Sequence, residues 1–175
     1  MNTLETFIKK HISSVNKNNI ITINIGKKVS EQIFINKYNT KKTKVFLDNL
    51  EKISNVSIDT PQRIKTYFSN NNVFELYSKK ITNFSYKTAD TEELTYKHID
   101  CKLTYMHINT KPCLHSNYNY DLIEEKEMII AHYKNIFDIH IVKYTNSTYS
   151  IHIRIFKPVD HINLLDNIST VIQLL

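Results

Sequence analysis

Titratable residues recur at every second position through the C-terminal half of the chain. Across residues 148–156, Tyr149, Ile151, Ile153 and Ile155 alternate with Ser150, His152 and Arg154. Across residues 137–144, Phe137, Ile139 and Ile141 alternate with Asp138 and His140, and Lys143 is a further candidate for the polar side. His132 and Lys134 flank residues 127–134 beside Ile130, and His98, Asp100, Lys102 and Thr104 repeat the pattern upstream. Residues two apart on an extended chain share one face, so each run collects its polar groups on one side. Such a face can move protons through imidazole, bind phosphate through Lys and Arg, or hold a metal. His140, His152 and Asp138 would make a two-histidine, one-carboxylate metal set only if their strands were opposed, since opposed side chains stand about 5 Å apart. The commoner fate of strand histidines is partial exposure, and that of the acidic run Glu124, Glu125 and Glu127 is a solvated strand start. Tyr67, Tyr77, Tyr105 and Tyr133 could stack on bases, although packing is the usual role of a strand tyrosine.

The glycine content removes whole classes of chemistry. Gly26 is the only glycine in the chain. Phosphate-binding loops, dinucleotide fingerprints and kinase-type loops need several glycines, so that consecutive backbone N–H groups can approach a phosphate. The nucleophile elbow and a Lys-x-Asp-Gly nucleotidyl-transfer motif are excluded too, because the residues around Gly26 do not match either. A cysteine phosphatase needs an arginine six residues after its nucleophile, and Arg63 and Arg154, the only arginines, do not stand there relative to Cys101 or Cys113. Two cysteines are too few for a disulfide scaffold and read as buried or half-buried thiols of a reducing compartment. No intact catalytic motif is present.

The 175 residues carry a net charge of +6, supplied almost wholly by lysine. Lys, Asn and Ile are abundant together, the mark of an AT-rich genome such as those of large DNA viruses and cytoplasmic plasmids. Part of the positive charge is therefore accounted for without a nucleic-acid partner. Apolar runs end after four or five residues, too short for a membrane helix, and the N-terminus has no signal-peptide pattern. The expectation is an intracellular, cytoplasmic protein, in a viral factory or virion if viral, with no membrane association.

These faces must be positioned by a strand-rich scaffold. Residues 3–15 repeat Leu4, Phe7, Ile8, His11, Ile12 and Val15 at helical spacing, with Asn2 as the expected cap. Residues 20–25 alternate as a strand, with Ile21, Ile23 and Ile25 opposite Thr22 and Asn24. A helix is expected at 43–54, and strands at 64–68, 73–81, 84–88, 96–108, 127–134, 137–144 and 148–156. Turns are expected at Ser69–Asn72, at 88–90 and at 145–147. Asp160 caps a final helix whose stripe is Ile162, Leu165, Ile168, Val171, Ile172 and Leu175. The organisation predicted is one domain over 1–175: an N-terminal helix (1–18), a β-barrel (20–158) and a C-terminal helix (160–175). A polar strand side of this kind is either the wet face of an open sheet or the lining of a lumen.

The order of these parts resembles the tunnel-fold RNA 5′-triphosphatases of viral and fungal mRNA capping. In that family an early Glu-x-Glu strand and a final Glu-x-Glu-x-Glu strand hold a divalent metal inside an antiparallel tunnel. Ile21-Thr22-Ile23-Asn24-Ile25 corresponds to the early strand and Tyr149-Ser150-Ile151-His152-Ile153-Arg154-Ile155 to the last. Asp59 with Arg63-Ile64-Lys65-Thr66-Tyr67, Lys102-Leu103-Thr104 with Lys111-Pro112, Glu125-Lys126 through His132-Tyr133-Lys134, and Phe137-Asp138-Ile139-His140 resemble the segments between. The resemblance implies an α+β, β-dominated fold: a closed or nearly closed antiparallel β-barrel of about eight strands, with N-terminal, mid-chain and C-terminal helices packed outside. It makes Thr22, Asn24, Ser150, His152 and Arg154 degenerate metal positions, with every carboxylate gone and no metal or other cofactor held. The function then expected is a non-catalytic binding or structural subunit of a capping or transcription apparatus. Arg63, Lys65, Lys102, His132, Lys134, His140, His152 and Arg154 would face an RNA 5′ end or a polyphosphate, and a protein partner is expected in the same apparatus. The alternative is an active, Mg- or Mn-dependent RNA 5′-triphosphatase or polyphosphate phosphohydrolase, with Glu127 and Asp138 as catalytic acids and Glu75, Glu124 and Glu125 as further candidates. A third reading is an unrelated small β-domain for protein–protein interaction.

Overall fold

The computed structural model of the chain describes residues 3–31, 33–69, 72–77, 80–112 and 121–175. Three helices, α1 (Thr3–His11), α2 (Thr40–Glu51) and α3 (His161–Ile172), accompany ten strands. In chain order the strands are β1 (Asn19–Ser30), β2 (Ile33–Ile35), β3 (Val56–Ile58), β4 (Gln62–Ser69), β5 (Asn72–Tyr77), β6 (Lys80–Tyr96), β7 (Ile99–Pro112), β8 (Asp121–Tyr133), β9 (Phe137–Tyr144) and β10 (Tyr149–Ile155). Every ladder between them is antiparallel. The order is β10-β9-β8-β4-β5-β6-β7-β1-β2, with β3 beside β8 and a further ladder between β1 and β10. Thus Ile21 to Ile25 of β1 pair with β7 on one side and with β10 on the other. The fold is the expected β-dominated α+β type with a large antiparallel sheet.

The alternation seen in the sequence divides each strand between two environments. Ile21, Ile23 and Ile25 of β1, Ile139 and Ile141 of β9, and Ile151, Ile153 and Ile155 of β10 are fully buried in one cluster. Leu4, Phe7 and Ile8 of α1, Phe46 and Leu50 of α2, and Leu164, Ile168, Val171 and Ile172 of α3 complete it. Each of these isoleucines contributes on the order of 2 kcal/mol of transfer free energy. The helices therefore cover the isoleucine face, and the polar face of the same strands points away from them. Ile162 departs from its expected stripe and is 61% exposed, because Leu164, two residues on and so on the opposite side of the helix, takes the inward position.

Several boundaries differ from expectation for identifiable reasons. Asn2 lies outside the described residues. The first helix ends at His11, and Ile12–Ser14 continues as a short 3-10 turn. α2 begins three residues early because the Asn39 side chain accepts the Lys42 N–H at 2.8 Å. The turn expected at 88–90 is a bulge: Thr88 pairs with Met106 and Asp90 with Tyr105, so β6 runs on as one 17-residue strand. Asp90 there receives Lys10 Nζ at 2.7 Å and His11 Nε2 at 2.8 Å, which fastens α1 to the strand and holds its carboxyl down to about 2. The strand expected over 96–108 begins instead at Ile99, since Lys97 and His98 form a tight turn with φ of 49° and 69°. β2 and β3 were not expected at all. Gly26 serves close approach and not positive φ: a Cβ there would stand 2.8 Å from Cα of Asn36 and closer still to the Ile35 carbonyl oxygen. Cys101 is fully buried, and burial pushes its thiol up to about 12; Cys113 lies outside the described residues.

Candidate functional site

The polar face of β1 and β10 lines a cavity of about 250 Å³. Its register is set by backbone ladders: Asn24 pairs with His152, Thr22 with Arg154, and His152 with His140 of β9. Thr22, Asn24, His140, His152 and Arg154 all reach the cavity wall. A proton-ordered chain crosses this wall. The His152 ring contacts Asn24 Oδ1 through Nδ1 and Ser150 Oγ through Nε2 at 2.7 Å, and Ser150 Oγ meets the Tyr144 hydroxyl at 3.2 Å. A neutral imidazole has one donor and one acceptor. With the Asn24 carbonyl accepting from Nδ1, Ser150 must donate to Nε2 and Tyr144 to Ser150. Ser150 is fully buried, so it is a hydrogen-bond relay and not an exposed nucleophile.

Electrostatics agree with that protonation state. Burial, and then the Arg154 guanidinium, pulls His140 down to about 3 and His152 to about 4. Both rings are therefore uncharged near neutral pH. The positive charge of the cavity comes from Arg154 and Lys126. Lys126 is neutralised by Glu75 at 3.4 Å, whereas Arg154 makes no hydrogen bond or ion pair among the described residues. Thr22 Oγ1 lies beside it, buried and without a hydrogen-bond partner among the described residues. Asp138, opposite Arg154 on β9, is engaged by His132, so a guanidinium without an ion pair next to an unsatisfied hydroxyl can receive an anion.

The opposite wall is apolar. Ile64 of β4, Met128 of β8 and Val142 of β9 form a second hydrophobic cluster with Ile130 and Tyr144. Ile20 and Met106 extend the apolar lining, and Tyr86 also reaches the wall. The sequence reading missed this half, and with it Lys126 and Tyr144 as site groups; Glu75, a candidate acid in that reading, lines the cavity as the partner of Lys126. The parity of Lys126, Met128 and Ile130 in β8 was the available signal.

The residues singled out from sequence fall into separate places. His140, His152 and Arg154 converge on the cavity. Lys102 shares their face through its pairing with Asn24, and its Nζ stands 3.8 Å from Glu93, which Lys28 also contacts at 3.1 Å. His132 stands at the rim, its Nδ1 2.8 Å from Asp138 and its Nε2 3.0 Å from Asp59. Hydrogen bonding to Asp138 raises its pKa. Arg63 and Lys65 do not face the cavity, since they alternate with the inward Ile64 and Thr66. They pair across the ladder with Glu127 and Glu125, and Arg63 is largely exposed. Lys143 opposes Glu127 on that same outer side. Lys134 is also misplaced by the sequence reading. It sits in the β8–β9 turn with φ of 49°, its ammonium 5.4 Å from the Tyr133 ring centre. Tyr105 and Tyr133 are core residues, stacked on His11 and Phe137 respectively, and offer nothing to a base. Tyr67 is half-buried, and the Tyr77 side chain lies outside the described residues.

The acids do not assemble. Glu75 is spent on Lys126, Asp138 on His132, and Glu125 and Glu127 project from the face opposite Lys126. Among the described residues no three His, Cys, Asp or Glu side chains are grouped to hold a metal ion, so His140, His152 and Asp138 do not form the metal set considered above. Asp138 opposes Arg154 and not a histidine of that set. A hard divalent cation also does not fit the donor set on the β1–β10 wall. Thr22, Asn24, Ser150 and His152 supply no carboxylate oxygen, and Arg154 adds a repelling charge.

With this geometry the chain overlays solved RNA triphosphatases. The likeness is one of fold. The S. pombe Pct1 RNA triphosphatase in complex with the Spt5 CTD aligns with a TM-score of 0.62 at 9% identity, covering 98% of this chain and 86% of that one. Pct1 without the CTD gives 0.63 at 10% identity over 93% and 79%. The Mimivirus capping enzyme triphosphatase gives 0.56 at 11% identity over 99% and 95%. No protein-family model and no curated protein matches the sequence. No helix among the described residues is long and apolar enough to cross a membrane.

Proposed function

We propose that this chain is a non-hydrolysing relative of the tunnel-fold RNA triphosphatases, which binds the phosphates of an RNA 5′ end or of polyphosphate in the cavity between β1 and β10. In this reading the strand circuit is a tunnel, and Thr22, Asn24, Ser150, His152 and Arg154 stand where the family's metal carboxylates would be. The observation that carries it is the pairing of Asn24 with His152 and of Thr22 with Arg154, which brings to this wall a guanidinium with no ion pair among the described residues, on two strands that carry no carboxylate. Phosphate would be held by Arg154 with the Thr22 hydroxyl and, at the mouth, Lys102. The apolar wall of Ile64, Met128 and Val142 leaves room for a few phosphoryl groups and not for a nucleotide chain. Such a subunit would act within a capping or transcription assembly, in keeping with Pct1, solved in complex with the Spt5 CTD.

Two measurements decide. Fluorescence anisotropy should show an oligonucleotide with a 5′-triphosphate binding more tightly than its 5′-hydroxyl counterpart, and the preference should vanish in Arg154→Gln. γ-Labelled triphosphate RNA incubated with Mg²⁺ or Mn²⁺ should release no phosphate. Release that disappears in Glu127→Gln or Asp138→Asn would establish the enzyme instead.

A further inference from the structure

The hairpin of β1 and β2 carries a surface that the cavity does not explain. Among the described residues β2 pairs with β1 alone, so within them its other edge presents backbone groups with no ladder partner. Beside that edge Val29, Ile33 and Ile35 are 56%, 53% and 42% exposed, unusual for large aliphatic side chains brought together. Val29 and Ile35 border a groove of about 500 Å³ between the hairpin, the start of α2 and the β6–β7 turn. Lys27, Lys37 and Lys42 stand in its wall with Val29, Ile35 and Tyr38. The acid there, Asp100, is already engaged, since one oxygen accepts the Lys28 N–H at 2.7 Å and the other the Thr95 hydroxyl at 2.7 Å.

We propose that this edge receives an extended segment of a partner protein in which acidic and aliphatic residues alternate. The segment would add a strand beside β2, seat its aliphatic side chains on Val29, Ile33 and Ile35, and direct its carboxylates to Lys27, Lys37 and Lys42. Charge selects this occupant over the others. A second copy of the chain pairing edge to edge would bring these lysines against their own counterparts, and like charges directly opposed destabilise a strand pair. RNA would find phosphate-binding lysines but only His98 and the half-buried Tyr38 to stack on, the rest of the exposed wall being aliphatic. The inference does not depend on what the β1–β10 cavity binds.

The test uses the full chain and a fluorescent synthetic peptide alternating aspartate with isoleucine, against a lysine–isoleucine control and an oligouridylate. The acidic peptide alone should bind, with slowed amide exchange at Ile33–Ile35. The Ile33→Asp, Ile35→Asp double variant should weaken it at least about tenfold, and Lys37→Glu with Lys42→Glu should weaken it about tenfold and flatten its salt dependence. All four side chains are exposed, so melting curves should match the parent and separate lost binding from lost fold. No binding of the acidic peptide at about 1 mM, equal binding of the basic one, or undiminished binding by the folded variants would overturn the proposal. So would tighter oligouridylate binding lost in the lysine variants, or a concentration-dependent dimer dissolved by Ile33→Asp.

Discussion

The rim around His132 and the cavity around His140 and His152 use the same residue type on neighbouring strands and shift its protonation in opposite directions. His132 faces two carboxylates, each within 3.0 Å, on a side chain that water still reaches, and its protonated form is favoured. His140 lies two residues beyond Asp138 on β9 and faces His152, apolar side chains and the Arg154 guanidinium, and both rings are held neutral. A histidine in an alternating strand therefore has no fixed meaning. Its protonation, and hence whether it attracts an anion by charge or only donates a hydrogen bond, is set by the partner that cross-strand register puts opposite it.

Acid should separate the two regions most. The unfolded chain protonates histidine near pH 6.5, whereas folded His140 and His152 resist down to about 3 and about 4. Their contribution is full above pH 6.5 and is lost as pH falls through that window. His132 has the opposite sign: with its folded pKa raised, its contribution is full below pH 6.5 and is lost as pH rises through the folded value. Urea unfolding across pH 4 to 8 should therefore lose its acid limb in His140→Gln with His152→Gln and its alkaline limb in His132→Gln. Arg154→Gln comes next. It should weaken 5′-triphosphate RNA binding about tenfold to a hundredfold, the worth of a charged hydrogen bond, and raise both cavity histidines in an NMR titration. Unmoved titrations would mean that burial alone keeps the rings neutral. His152→Ala should cost about 1–3 kcal/mol in urea unfolding, because Asn24 Oδ1 and the buried Ser150 hydroxyl lose their shared partner. The smallest effect belongs to His132→Ala: its pairs are solvent-screened, so less than about 1 kcal/mol is expected at pH 6 and less again at pH 8.

Much of the scaffold could be read from residue types because alternation and burial coincide. The isoleucines of β1, β9 and β10 point to the helices and Thr22, Asn24, His140, His152 and Arg154 point away, as a period of two requires. What escaped reading depended on register or on backbone conformation. Lys97-His98 turns a hairpin without the Asn-Gly pair that advertises one, so β7 was started too early. Ala89 is absorbed as a bulge, which left Asp90 looking like a turn residue when it anchors α1. Lys65 and Arg63 were assigned to the lumen by charge, although Ile64 and Thr66 between them already claimed the inward parity. Lys134 came from carrying the alternation past the end of β8. The Ile64–Met128–Val142 wall needed two separate ladders, β4–β8 and β8–β9, to become visible as one surface.

The seam between β1 and β10 also sets the order in which the chain can assemble. Asn24 and His152 are separated by 128 positions, yet they share a ladder and a hydrogen bond. Closing so long a loop costs entropy before any contact repays it. During synthesis β1 must wait, paired at most with β2 and β7, until the last strand emerges. The β1–β10 wall of the cavity is then complete only once this last strand has emerged, and a chain lacking β10 would expose five residues of β1 backbone on a new edge.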